Sequence, residues 1–341
     1  MTASPTLSTI ILAAGKGTRM KSAKAKVLHE VFFQPMIHLV LKAVEPLQTK
    51  QSIVIVGHQK EAVERVLEEF DVTCAEQKEQ NGTGHAVLCA EPHITEWEGD
   101  VMILYGDSPL LLTQHLEEMY QLHRHNDSVL TVMTTCLTNP SNYGRIIIDN
   151  SGNVIEIVEE KDATEEQRNI TEINVGIYCV QTKFLFEALK QVTTDNSQGE
   201  MYLTDIVAIA VKNGFTVRRY EHPHPSHVLG VNSRGELATA HMEIQSRRNA
   251  ALMASGITLL NPLTTQIGPT VTIEPDSIIG PQVTITGTSL ISNGCVIEAG
   301  VSLDNADVGT NAHIGANSVL NNCSVRAGEK ILPLTYRSGK Y

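Results

Sequence analysis

From Ile267 onward an aliphatic residue returns at every sixth position. Ile267, Ile273, Ile279, Ile285, Ile291, Ile297 and Leu303 keep this spacing without a slip, and after one five-residue step it resumes at Val308, Ile314 and Leu320. Neither regular element buries such a set, because a helix returns to one face about every 3.6 residues and a strand every second. A chain that turns after each short strand, with three strands to a triangular coil, does place every sixth residue inside. The stretch is therefore expected to be a short left-handed parallel β-helix of hexapeptide repeats, with the aliphatic side chains stacked along its axis. Three to four coils fit before Tyr341.

Upstream the pattern is different. Ser8–Ala14, Ser52–Gly57 and Val101–Tyr105 are apolar runs short enough for buried strands, and Pro35–Val44 and Glu61–Phe70 have helical apolar spacing. Strand and helix in alternation imply a parallel sheet covered on both faces. Tyr143–Val158 reads as a hairpin around Asp149-Asn150-Ser151-Gly152, and Ile170–Val180 resumes an extended pattern, so an antiparallel insertion makes the sheet mixed. The chain is thus expected to be α/β over 1–231, with a connecting helix in 232–256 and the β-helix over 257–341.

In such sheets ligands sit beyond the carboxyl ends of the strands. The first strand ends in Leu12-Ala13-Ala14-Gly15-Lys16-Gly17-Thr18-Arg19-Met20, and Lys16, Arg19, Lys21, Lys24 and Lys26 follow with no acid before Glu30. In a chain of net charge −12 this is a local cationic bend. Glycines let backbone N–H groups approach phosphate oxygens, and the cations neutralise them. Met20 stands where a dinucleotide fingerprint has its third glycine, and no G-x-x-x-x-G-K-[ST] occurs, which excludes the two commoner phosphate loops. Gln77 follows a further short strand, Val72–Ala75, Gly82 and Thr83 open a helix, and Asp107 leaves the strand ending at Tyr105. A carboxylate there either caps the next helix or supplies a hard oxygen to magnesium. Glu221–His227 carries His222, His224 and His227 between prolines, and with no cysteine or carboxylate partner in view it reads as a rigid surface loop rather than a zinc site.

No basic face extends beyond the first loop, so nucleic acid is not expected as a partner. Six scattered cysteines without a C-x-x-C suit reduced thiols in a cytoplasmic protein. Met1–Pro5 lacks a basic leader, and no apolar run is long enough for a bilayer.

Taken together, LAAGKGTRM, KVLHEV, NGTGHAV, LYGDSPL, YGRI, EEKDAT, EINVGIY, QGEMYLTDI and GVNSR, followed by the hexapeptide repeat, resemble the bacterial bifunctional N-acetylglucosamine-1-phosphate uridyltransferase/glucosamine-1-phosphate acetyltransferase family. The resemblance implies a Rossmann-like nucleotidyltransferase domain that makes UDP-N-acetylglucosamine, a peptidoglycan precursor, from UTP and N-acetylglucosamine 1-phosphate with Mg²⁺. It implies Arg19 and Lys26 as catalytic cations and Leu12, Ala13, Ala14, Gly15, Gln77, Gly82 and Thr83 as nucleotide contacts. Tyr105, Gly106, Gly144, Glu159 and Asn174 would line the sugar-phosphate site, and Asp107 and Asn232 would hold the metal. Homotrimer formation through the β-helix is also implied. Ala25 and Met201 depart from the family's proline and tyrosine. The later coils that carry acetyl transfer in the family have no counterpart, so that activity is not expected. Alternatives are another sugar 1-phosphate or dTTP, a hexapeptide acyltransferase, and a non-catalytic trimeric relative.

Overall fold

A computed structural model describes residues 6–339, so Met1–Pro5, read above as lacking a leader, lies outside the described residues. The chain divides into two units, one of Met1–Glu30 with Gln34–Arg234 and one of Val31–Phe33 with Gly235–Tyr341.

The first unit is built on a nine-stranded sheet. Its order is Thr73–Glu76, Gln51–Val56, Leu7–Leu12, Asp100–Tyr105, Glu172–Gln181, Leu130–Cys136, Val217–Glu221, Val154–Val158 and Arg145–Ile148. The first four strands are mutually parallel. Glu172–Gln181 runs antiparallel between Asp100–Tyr105 and Leu130–Cys136. The antiparallel part is therefore set into the centre of the sheet rather than added at one side. Its inner residues, Ile177 to Val180, are buried on both faces.

Alternation along the strands feeds two cores. Ile10, Ile53 and Ile103 pack with Leu185, Leu189, Ile206 and Val207, from helices Thr182–Leu189 and Asp205–Lys212. Ile11, Val54 and Met102 face the other way, onto Ile37 and Val40 of Met36–Val44, Val63 of Lys60–Leu67, and Leu116 and Met119 of Thr113–His125. Burying each such side chain contributes ~1.5–3 kcal/mol, and the two layers fix where every strand end emerges. Among the described residues no helix is long and apolar enough to cross a membrane.

Glu221–His227 is the surface loop expected of it except at His222. His222 is 1% exposed, its N–H donates to Thr134 O (2.7 Å), and its carbonyl accepts from Thr135 Oγ1 (2.9 Å). The backbone stays on the sheet one residue beyond the strand and carries the imidazole inward.

After Val31–Phe33, the second unit takes up helix Arg234–Ala254 from Gly235 and continues as very short parallel strands in sheets of five, five and four, visited in rotation. This succession is consistent with a β-helix. Ile267 pairs with Ile285, Ile285 with Leu303 and Leu303 with Leu320, which makes one row. Ile273, Ile291, Val308 and Val325 make the second row, and Ile279, Ile297, Ile314 and Ile331 the third. A second five-residue step, Leu320 to Val325, keeps the rows aligned after the first. The stack also begins earlier than the sequence suggests, because Leu259 pairs with Ile279 from a position off the six-residue period. It thus exceeds the three to four coils expected. Gln245 and Asn249 of the helix donate to the Thr265 carbonyl (3.0 and 2.9 Å) and so tie the helix to the first coil.

Candidate active site

A cleft of about 300 Å³ opens at the carboxyl ends of the parallel strands. Leu12, Ala13, Ala14, Gly15, Gln77, Gly82 and Thr83 all line it, together with Lys26, Tyr105 and Asp107. The sheet's ladder continues past the strand ends and sets the lining. Ala13 N–H donates to Ile55 O (2.9 Å), Gly106 N–H to Leu12 O (2.9 Å) and Gln77 N–H to Val56 O (2.8 Å). Gln80 Nε2 donates to Ala14 O (2.7 Å). A Cβ on Gly15 would meet nothing within 4 Å, so open space lies over that bend.

Two glycines are demanded by the backbone. Gly17 has φ +61°, and a Cβ there would lie 2.6 Å from Lys26 Cβ, so the cationic bend can pack on that lysine. Gly82 has φ +104°, and a Cβ would come within 2.5 Å of Met201 O. The helix it caps, Thr83–Leu88, has no side-chain cap. Its early N–H groups therefore face the cleft or backbone carbonyls, as Gly84 N–H does at Met201 O (2.8 Å). His85 Nδ1 lies 3.2 Å from Gln77 Nε2 and holds that amide in place.

Lys26 starts the short 3-10 turn Lys26–Leu28. The residue before it, Ala25, has φ −54°, the value a proline would impose. Its N–H is not wasted, since it donates to Gln59 Oε1 (2.7 Å), while Gln59 Nε2 donates to Ala23 O (2.6 Å). The Lys26 ammonium pairs with the Asp107 carboxylate and donates to Asn232 Oδ1 (2.9 Å). Asn232 reaches this point from 206 residues along the chain, carried by a segment whose Val231 N–H donates to Asp107 O (2.8 Å). Asp107 is buried and caps no helix, because the next helix is Thr113–His125 with Leu112 at its N-cap.

A second group adjoins the cleft at Tyr105. Asn174 N–H donates to Gly144 O (2.9 Å), and Asn174 Nδ2 donates to Tyr178 OH (2.7 Å). Glu159 Oε1 accepts from Thr204 Oγ1 (3.2 Å) and would lie 3.6 Å from a Cβ on Gly144. Burial pushes the Glu159 carboxyl above its usual range, and burial likewise holds the Tyr105 hydroxyl protonated well beyond the ordinary phenol. These side chains offer acceptors and donors together, the combination sugar hydroxyls require.

Arg19 is not brought into the cleft. It is exposed on the turn Thr18–Met20 and makes no hydrogen bond or ion pair among the described residues. Three positioning groups escaped the sequence reading. Gln59 and Gln80 carry no motif, but Arg145 sits in YGRI. It is 1% exposed, and its guanidinium ties the Tyr143 carbonyl, Glu160 Oε2 (2.7 Å) and Arg168 O (3.2 Å) around the Glu159 wall.

Residues 8–222 match the nucleotidyl transferase family. A relative from Desulfotalea psychrophila, a bifunctional protein GlmU, is 50% identical over 325 residues, which is 95% of this chain and 96% of the relative. Relatives of the same description from Pelobacter propionicus and Geotalea uraniireducens are 43% and 41% identical, over 97% of this chain and 72% of each of theirs.

Proposed function

The chain belongs to the nucleotidyl transferase family, in the group of the bifunctional GlmU proteins, and from that premise we propose that it transfers uridylyl from UTP to N-acetyl-α-D-glucosamine 1-phosphate. The products are UDP-N-acetylglucosamine and pyrophosphate. One observation carries the reading: Lys26, Asp107 and Asn232 meet at the mouth of a cleft lined by Leu12 to Gly15, Gln77, Gly82 and Thr83. Residues 1–231 are assigned as the catalytic domain, 232–256 as the connecting helix, and 257–341 as a left-handed β-helix that trimerises.

Magnesium is the expected ion. The Asp107 carboxylate and the Asn232 amide oxygen converge on one position, which the Lys26 ammonium takes in this structure. Two hard oxygens around a cationic point fit Mg²⁺, which when bound would screen the repulsion between the two phosphates. A sugar-phosphate oxygen attacks the α-phosphorus in line, and the bond to the pyrophosphate oxygen breaks. The protein's work is to position and neutralise, and no general base is needed because a phosphate monoester is already ionised at neutral pH. Lys26, released from Asp107 and Asn232, reaches the α-phosphate and holds its developing charge. Arg19, free on its turn, closes on the departing phosphates. Gln77 and the backbone of Ala13 to Gly15 read the base, while Tyr105, Gly106, Gly144, Glu159 and Asn174 orient the sugar.

The deciding experiment is Mg²⁺-dependent pyrophosphate release from UTP with N-acetylglucosamine 1-phosphate, run beside dTTP and glucose 1-phosphate. Faster release from either alternative would reassign the substrate, and no release from any pair would end the proposal.

A further inference from the structure

A cluster of imidazoles lies away from the cleft, in the same unit. His115 comes from the first turn of helix Thr113–His125, His222 from just beyond strand Val217–Glu221, and His227 from the turn Pro225–His227. One ring nitrogen of each lies within 4.8 Å of those of the other two. The His115 and His222 rings meet edge to face at 4.2 Å between centroids. Nε2 of the buried His222 has no hydrogen-bond partner among the described residues, and leaving such an atom dry and unpaired is costly. Nδ1 of His115 lies 3.3 Å from Glu118 Oε2 and 3.3 Å from Tyr220 OH. A carboxylate on one nitrogen of a histidine is the usual support for metal ligation by the other.

We propose that His115, His222 and His227 form a transition-metal site, separate from the oxygen-lined magnesium position. Three imidazoles without thiolate select ions of the Zn²⁺, Ni²⁺ and Cu²⁺ class over Mg²⁺, with water completing the set and Glu118 supporting His115. Ligation through His222 Nε2 moves that ring's proton to Nδ1, and the bond that Nδ1 accepts from the His224 N–H (3.0 Å) is given up in exchange. The prolines Pro223 and Pro225 already restrict the loop, so little further ordering is required. Five residues after His227 comes Asn232, and the ion would thus clasp the segment that delivers it.

The site stands independently of the proposed nucleotidyl transfer. Its test uses the untagged full chain, stripped by chelator and titrated with Co²⁺ and then Zn²⁺. One equivalent of Co²⁺ with intense tetrahedral visible bands is expected, displaced by one equivalent of Zn²⁺ and untouched by millimolar Mg²⁺. Zn²⁺ should also raise the melting temperature. His115→Gln and His227→Gln, both at half-buried positions, should each weaken Co²⁺ binding at least tenfold, while the exposed control His125→Gln should not. Absence of stoichiometric uptake overturns the proposal, as does uptake unchanged in the His115→Gln/His227→Gln double variant. If His222→Gln fails to fold, the two half-buried variants still decide.

Discussion

The Lys26 ammonium occupies the point on which Asp107 and Asn232 converge, and the divalent ion proposed for that point would have to displace it. Lys26→Met keeps the aliphatic stem and removes the charge. The ammonium holds an ion pair to Asp107 and a hydrogen bond of 2.9 Å to Asn232, with side chains only 17% and 10% exposed for Lys26 and Asp107. Charge-assisted contacts at this depth contribute about 1.5–3 kcal/mol net. Without that competitor, Mn²⁺ used as a spin probe should bind the nucleotide-free protein roughly 10- to 150-fold more tightly. Turnover should move the opposite way, falling ~100-fold or more even at saturating metal, because the developing charge on the α-phosphate loses its partner. Paramagnetic resonance on the metal and pyrophosphate release on the enzyme read the two effects separately. Metal affinity unchanged or weaker in the variant would refute the displacement, and turnover reduced less than tenfold would remove Lys26 from the chemistry.

Gly82→Ala should lower stability by ~2 kcal/mol or more, through a positive φ and an overlap with the Met201 carbonyl, and thermal melts with and without UTP should show it. Ala25→Pro should be close to neutral in melting temperature, since φ −54° already suits proline, a gain of ~0.4–1 kcal/mol, while the hydrogen bond to Gln59, worth about as much, is lost. Gln59→Ala, which removes both clamps on residues 23–25, should lower turnover without that compensation. Glu159 has a raised carboxyl pKa through burial, so on acidification it protonates before an ordinary carboxylate would. The kcat/KM for sugar phosphate should fall on the acid side above the usual carboxylate range, and Glu159→Gln should lack that limb. The same sign makes ionised Glu159 a cost to the fold, lost as pH falls and present as it rises, so Glu159→Gln should melt higher at neutral pH.

Most of what was legible in the sequence is local. The bend from Leu12 to Met20, the helix opening at Thr83 and the exit at Asp107 each follow from a few neighbouring residues, and the aliphatic period needed only counting. What was not legible depends on distant segments meeting. Nothing around Asn232 announces that it joins Lys26, because the pairing is made by a chain return 206 residues later. The burial of His222 is not legible because its partner, His115, sits on another element far back in the chain. Leu259 and Val325 were overlooked because strand pairing, not spacing, brings them onto the aliphatic rows. Arg19 tells the reverse lesson: a motif residue with an expected role stands in solvent on its turn, outside the cleft.

The antiparallel strand Glu172–Gln181 lies between two parts of the sheet that line different parts of the site. Leu12 to Gly15 and Gln77 lie at the ends of the parallel strands on one side and Thr83 opens the helix that follows, whereas Gly144 and Glu159 flank the hairpin strands and Asn174 comes from the antiparallel strand itself. Tyr105, whose ring lies against Gly176, touches the seam. Exchanging the hairpin should therefore alter which acceptor is chosen while the donor end keeps its fit, a division of labour that an engineer could exploit one side at a time.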